Sequence, residues 1–101
     1  MKKIETTRQF DKDLKAIGLV PELIDVLHAL VKDLPVPEKY KDHALKGDLK
    51  QYRECHLRPD LLLAYQTTSD RVLAYQTTSD RVKLIAVDNH NNLFKVLHNR
   101  K

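Results

Sequence analysis

Three histidines stand where predicted elements end: His43 in KDHALKG, His56 in YRECHLRPD and His90 in VDNHNNLF. Side chains from distant segments converge at such ends. Imidazole, with an unperturbed pKa of about 6.5, is the side chain best matched to proton transfer at neutral pH. Asp60 follows His56 across the Pro59 turn and adds a carboxylate. Two such groups in one cleft can serve as base and acid around a phosphodiester. The nucleophile is then the 2′-hydroxyl of RNA, and no nucleophilic Ser or Cys is needed. Taken singly, each histidine is more often a structural residue than a catalyst. His28 and His98 read as surface residues. A metal is the weaker reading: no HxH or HxxxH pair is present, and one cysteine cannot supply a multi-cysteine zinc site. Alternation turns Cys55 away from its neighbours Glu54 and His56, as a small buried hydrophobe.

The elements that must position these groups read as α+β. Residues 2–6 form a short strand. Thr6 or Thr7 caps a helix carrying Phe10, Leu14 and Ile17, which Gly18 ends. Pro21 opens a second helix with Leu23, Leu27, Leu30 and Leu34 on one face, stopped by Pro35 and Pro37. Residues 35–50 are polar and loop-like around Gly47. Residues 49–57 alternate as a strand, with Tyr52, Glu54 and His56 on one face and Arg53, Cys55 and Leu57 on the other. After a Pro59-Asp60 turn, residues 61–66 are apolar on both faces, as in a central strand. TTSD is a turn, residues 81–87 are the last strand, and residues 91–97 form a terminal helix. A strand, a helical hairpin and then a β-meander predict a two-helix layer on an antiparallel sheet.

Residues 63–72 and 73–82 are both LAYQTTSDRV, matching at all ten positions. Two copies do not make a solenoid, and such identity points to a duplication within one domain. An even insertion keeps strand parity. The added segment is expected to lengthen a hairpin or to be exchanged between two copies of the chain, rather than to insert a third strand between residues 61 and 87.

A chain of 101 residues holds one domain, with 42% apolar and 32% charged residues and only two glycines. No apolar run spans a bilayer, and MKKIETTRQF lacks the apolar region of a signal peptide. With one cysteine, the expected setting is the reducing cytoplasm, with no membrane contact. The net charge of +4 suits a polyanionic partner but equally a solvated basic surface.

The run DHALKGDLKQYRECHLRPDLLLAY, followed by a strand and HNNLF, resembles the YafQ-type branch of the RelE toxin family. The resemblance covers nearly the whole chain once one repeat copy is set aside. It implies a RelE-like fold and a toxin of a type II toxin–antitoxin module. The implied activity is that of a ribosome-dependent mRNA endonuclease without cofactor or metal, leaving a 2′,3′-cyclic phosphate and a 5′-hydroxyl. By motif position, His43, His56, Asp60 and His90 match the family's acid–base residues, Glu54 a carboxylate used in some relatives, and Phe94 a late aromatic that stacks on a base or plugs the core. Lys46, Lys50, Arg53 and Arg58 are the cations expected to meet RNA phosphates. The implied partners are an antitoxin, mRNA on the ribosome, operator DNA only through the antitoxin and, from the repeat, a second copy of the chain. The chain departs from the pattern at Ala86, where many relatives carry Arg, and at Asp88-Asn89, where Gly precedes Thr or Ser. A second reading therefore keeps the fold as an antitoxin-binding co-repressor without cleavage.

Overall fold

The structure, a computed structural model, describes residues 2–72 and 77–100. Strand β1 (Lys3–Thr6) leads into helix α1 (Arg8–Ile17) and then α2 (Pro21–Val31). The Thr7 hydroxyl accepts from the Phe10 N–H at 3.0 Å, which caps α1, and donates to the Ile85 carbonyl at 2.5 Å. Gly18, at φ 78°, ends the helix. Pro21 stands at the start of α2, where its missing N–H costs nothing. The second helix ends at Val31, earlier than the prolines suggested. Asp33 turns the chain at φ 58°, and Leu34, expected on the apolar stripe, lies beyond the helix and is exposed.

The segment expected to be loop holds 3-10 turns at Glu38–Tyr40 and Gly47–Leu49 and a two-residue strand, β2 (His43–Ala44). So short an edge strand leaves no periodic trace in sequence. Strands β3 (Arg53–Arg58), β4 (Leu61–Val72) and β5 (Thr77–Asp88) and helix α3 (His90–Arg100) complete the chain. The sheet order is β1-β5-β4-β3-β2. Strands β2 to β5 are the expected antiparallel meander, whereas β1 lies parallel to β5.

Each sheet face has its own core. Phe10, Leu23, Val26 and Leu30 of the hairpin pack on Cys55, Leu57, Leu63, Tyr65, Val82 and Leu84. Leu93 and Leu97 of α3 pack on Tyr52, Leu62, Ala64, Ile85 and Ala86. A bulge opposite Ala64 and Tyr65 leaves Ile85 as the extra residue of β5, and Thr7 takes its carbonyl. Asp13, buried in α1, accepts from the Val87 N–H at 3.0 Å. These bonds tie the helical layer to β5.

The expected TTSD turns are absent. Both copies lie within strands and pair with each other, Ser69 opposite Asp80 and Asp70 opposite Ser79. Neighbours fix the inner ends of β4 and β5, Arg53 beside Tyr65 and Leu84 beside Thr6, so the added residues lengthen both arms outward. This is the longer hairpin; the residues that join its arms, 73–76, lie outside the described residues. Deleting residues 73–82 returns Ser69-Asp70 to the turn without altering the inner register. The shortened chain is expected to remain folded, with native circular dichroism and a thermal midpoint within a few degrees of the parent. Loss of cooperative unfolding would contradict the reading of an added segment.

Candidate active site

Strand pairing brings together residues that the sequence separates. His43 of β2 stands opposite Glu54 of β3, and His56 lies two residues further on the same face. Glu54 Oε1 is 3.6 Å from His43 Nε2 and 3.4 Å from His56 Nε2, and the two rings stack with centroids 5.9 Å apart. The Glu54 side chain is only 3% exposed, against 48% for His43 and 33% for His56. A buried acid thus sits beneath two imidazoles that reach solvent. Its second oxygen, Oε2, is buried without a hydrogen-bond partner. Leaving such an atom unpaired costs on the order of 1–3 kcal/mol. His43 Nδ1 lies 2.7 Å from the Lys41 carbonyl, which fixes Nδ1 as the donor and turns Nε2 toward Glu54.

The opposite face of the same strands holds His43 in place. Asp42 accepts from Arg53 Nη2 at 2.8 Å and Nε at 3.3 Å and from the Tyr65 hydroxyl. Burial, together with this hydrogen bond, holds the Tyr65 phenol protonated well above its ordinary range. Arg53 is likewise held charged by Asp42. Arg53, expected on RNA, is thus turned away from Glu54 and His56 and committed to a protein carboxylate. Arg58 pairs with Glu22 of α2 at 3.1 Å. That contact lowers the Glu22 pKa, so its stabilisation is present above the ordinary carboxylate range and fades as pH falls through the lowered value. Cys55 is fully buried, and desolvation pushes its thiol up to about 12, which leaves it no role as a nucleophile.

The other expected residues lie outside this cluster. Asp60 is exposed in the β3–β4 turn, and Lys46 and Lys50 are exposed on either side of the Gly47–Leu49 turn. His56 pairs with Leu62, which pairs with Asp88, so the row through His56 reaches the end of β5 two residues before His90. His90 begins α3, over the same sheet face, with its ring 4.6 Å from Phe94. Phe94 is half-buried against the α3 core and lines, with His90, Asn91, Lys95, His98 and Asn99, an open cavity of about 550 Å³. Its packing on the core agrees with the second of the two roles expected of it. Ala86 is fully buried beneath α3. Two cations were missed in the sequence: Lys39 and Lys41 line, with His56 and Arg58, a cleft of about 410 Å³. The only sequence signal was their position on either side of Tyr40, whose hydroxyl donates to Asp25 at 2.8 Å and fixes that turn on α2.

His43, Glu54 and His56 have ligand atoms within 4.8 Å of one another, a spacing that also suits a metal ion. Without a metal, the same groups stand as one carboxylate between two imidazoles. Removal of the carboxylate that supports His43 tests the arrangement. Asp42→Ala is expected to destabilise the fold by on the order of 1–3 kcal/mol in urea unfolding, leaving Arg53 and Tyr65 unpaired. Unchanged stability would show that the Asp42 contacts do not hold the β2 edge.

Comparison with known proteins places this geometry. Residues 2–95 match the family model described as "Bacterial toxin of type II toxin-antitoxin system, YafQ". The mRNA interferase toxin YafQ of Escherichia coli (strain K12) is 37% identical over 70 residues, covering 64% of this chain and 76% of the relative. A metal-bound toxin from Helicobacter pylori is similar in structure at TM-score 0.73 and 41% identity, covering 92% of this chain and 99% of that one. YafQ in the E. coli DinJ-YafQ complex matches at TM-score 0.72 and 29% identity, covering 93% and 99%. No helix among the described residues is long and apolar enough to cross a membrane. On the family match, the relatives and the shared fold, this chain belongs to the YafQ family of toxins of bacterial type II toxin–antitoxin systems.

Proposed function

We propose that the chain is a cytoplasmic endoribonuclease that cleaves mRNA on the ribosome by metal-independent acid–base catalysis and is neutralised by a cognate antitoxin. The observation that carries this reading is the buried Glu54 beneath His43 and His56, beside a cleft lined by three cations. The relatives named as mRNA interferase and as a partner of DinJ support it. Operator DNA is reached only through the antitoxin. The repeated segment adds a second copy of the chain as a partner.

In this mechanism His56, supported by Glu54, takes the 2′-hydroxyl proton, with Asp60 as an accessory carboxylate. The 2′-oxygen attacks the adjacent phosphorus, the bond from phosphorus to the 5′-oxygen breaks, and His90 protonates that leaving oxygen. His43 completes the proton site around Glu54. Lys39, Lys41 and Arg58 neutralise phosphate charge in the cleft, with Lys46 and Lys50 on either side of the Gly47–Leu49 turn, while Arg53 acts through Asp42. Phe94 stacks on an unpaired base beside His90, worth about 1–3 kcal/mol. Positioned acid–base groups contribute on the order of 10²–10⁴-fold each.

A second reading follows from the ligand spacing of His43, Glu54 and His56 and from the relative solved in a metal-bound state. A metal held there occupies the proton site, so the two readings predict opposite responses to chelation. Cleavage of ribosome-bound mRNA is expected to persist in EDTA and to leave 2′,3′-cyclic phosphate ends. His56→Ala and His90→Ala are each expected to slow it by on the order of 10²–10⁴-fold while the thermal midpoint stays put. Abolition by EDTA with rescue by an added divalent ion would favour the metal reading. Full activity in both variants would overturn the acid–base assignment.

A further inference from the structure

Helix α3 is fastened to the sheet by one stripe and leaves another bare. Leu93 and Leu97 are buried in the core, which turns His90, Phe94 and His98, each four residues from the next, along one flank that reaches solvent. The three rings follow one another, His90 to Phe94 at 4.6 Å and Phe94 to His98 at 6.4 Å between centroids, at angles of 30° and 39°. Neither pair is stacked face to face, and both imidazoles are exposed, so ring surface is left for a ligand. Asn91, Lys95 and Asn99 border the same cavity of about 550 Å³. The two amides both donate and accept hydrogen bonds, and Lys95 adds positive charge.

His90 and Phe94 belong to the site already described, whereas the outer half of this flank does not. The match to the family model ends at residue 95, so His98, Asn99 and Arg100 lie beyond it. No residue of α3 is acidic, and His98 and Arg100 make its last turn basic. Rings in series, with cations beside them and no carboxylate among them, form the kind of surface on which a single-stranded nucleic acid stacks. Both ring spacings exceed the roughly 3.4 Å between stacked bases. A strand that follows the rings is therefore drawn out, which suits a single strand and not a duplex. An apolar protein segment would instead meet two imidazoles, a lysine and two amides.

We propose that the flank from His90 to His98 is a subsite for mRNA bases on the 3′ side of the cut, with His98 as its outer stacking residue. The inference rests on the nuclease reading and extends it. The oxygen that His90 protonates is the 5′-oxygen of the nucleotide following the cut, so that nucleotide is held at the start of α3. Its base meets Phe94, and the next base meets His98, one turn further on. Lys95 neutralises the phosphate between them. The Asn91 and Asn99 amides hydrogen-bond base edges, which gives the subsite a means of preferring particular bases.

A short single-stranded RNA with 2′-fluoro sugars offers no 2′-hydroxyl and is bound without being cleaved. Its affinity for the full chain, His98→Ala and His98→Phe, measured by fluorescence anisotropy at low salt, is compared with that of an abasic strand of the same length. His98→Ala is expected to lower the affinity for the base-bearing strand about tenfold. Its affinity for the abasic strand and its thermal midpoint are expected to stay as in the parent. His98→Phe, which keeps a ring, is expected to restore the lost affinity. Equal affinity of parent and His98→Ala for the base-bearing strand, an equal loss on both strands, or no restoration by Phe would each overturn the proposal. A chain that cleaves mRNA while its RNA affinity ignores His98 lacks only the subsite. A chain whose RNA affinity depends on His98 but which cleaves no mRNA keeps the subsite and loses the nuclease assignment.

Discussion

The strict alternation of β3, pinned at its edge by Asp42, is the constraint from which the site follows. Arg53 and Glu54 are adjacent and must face opposite ways. Arg53 turns toward Asp42 and Tyr65, and Glu54 toward His43 and His56. Asp42, just before β2, and His43, its first residue, repeat the division. One face carries a charge-assisted anchor with its partners satisfied, and the other carries a carboxylate with an oxygen left over. A slip of one residue in the two-residue strand β2 would exchange the faces and destroy both sets.

That division explains why a costly group is kept. A carboxylate with 3% exposure, paired across the ladder with Ala64, would be better replaced by an apolar residue if stability were all that mattered. Its neighbours are instead two imidazoles that reach solvent, with Lys39, Lys41 and Arg58 lining the cleft beside His56. A buried acid under solvent-facing bases, next to a cleft lined by cations, suits proton transfer on an anionic polymer. The small side chains of Ala64 and Ala86 lie in the same ladder row as Glu54, so little bulk stands on the sheet between it and α3.

Much of this was legible in the residues. The alternation of residues 52–57 placed Glu54 and His56 together and Cys55 apart, and Pro21, Thr7 and Gly18 marked the helices by their chemistry. What escaped depends on long-range pairing. Strand β2 is too short for periodicity, so the meeting of His43 with Glu54, and with it the metal-compatible spacing, was invisible. Lys39 and Lys41 enter the site only because the Tyr40 hydroxyl fixes their turn on Asp25. The TTSD segments read as turns from composition, and the anchored inner register overrode them. Arg53 looked like a phosphate ligand until its carboxylate partner, Asp42, was seen, whereas Arg58 lines the cleft while pairing with Glu22.

The central claim is that Glu54 and the imidazole above it work as one proton-handling unit. Single-turnover cleavage of ribosome-bound mRNA by Glu54→Gln, His56→Gln and the double variant tests it most directly. If the pair is a unit, the double variant cleaves about as slowly as the slower single one, because the first substitution has already disabled the site. If the two losses multiply, the residues act separately and the account of the site is contradicted.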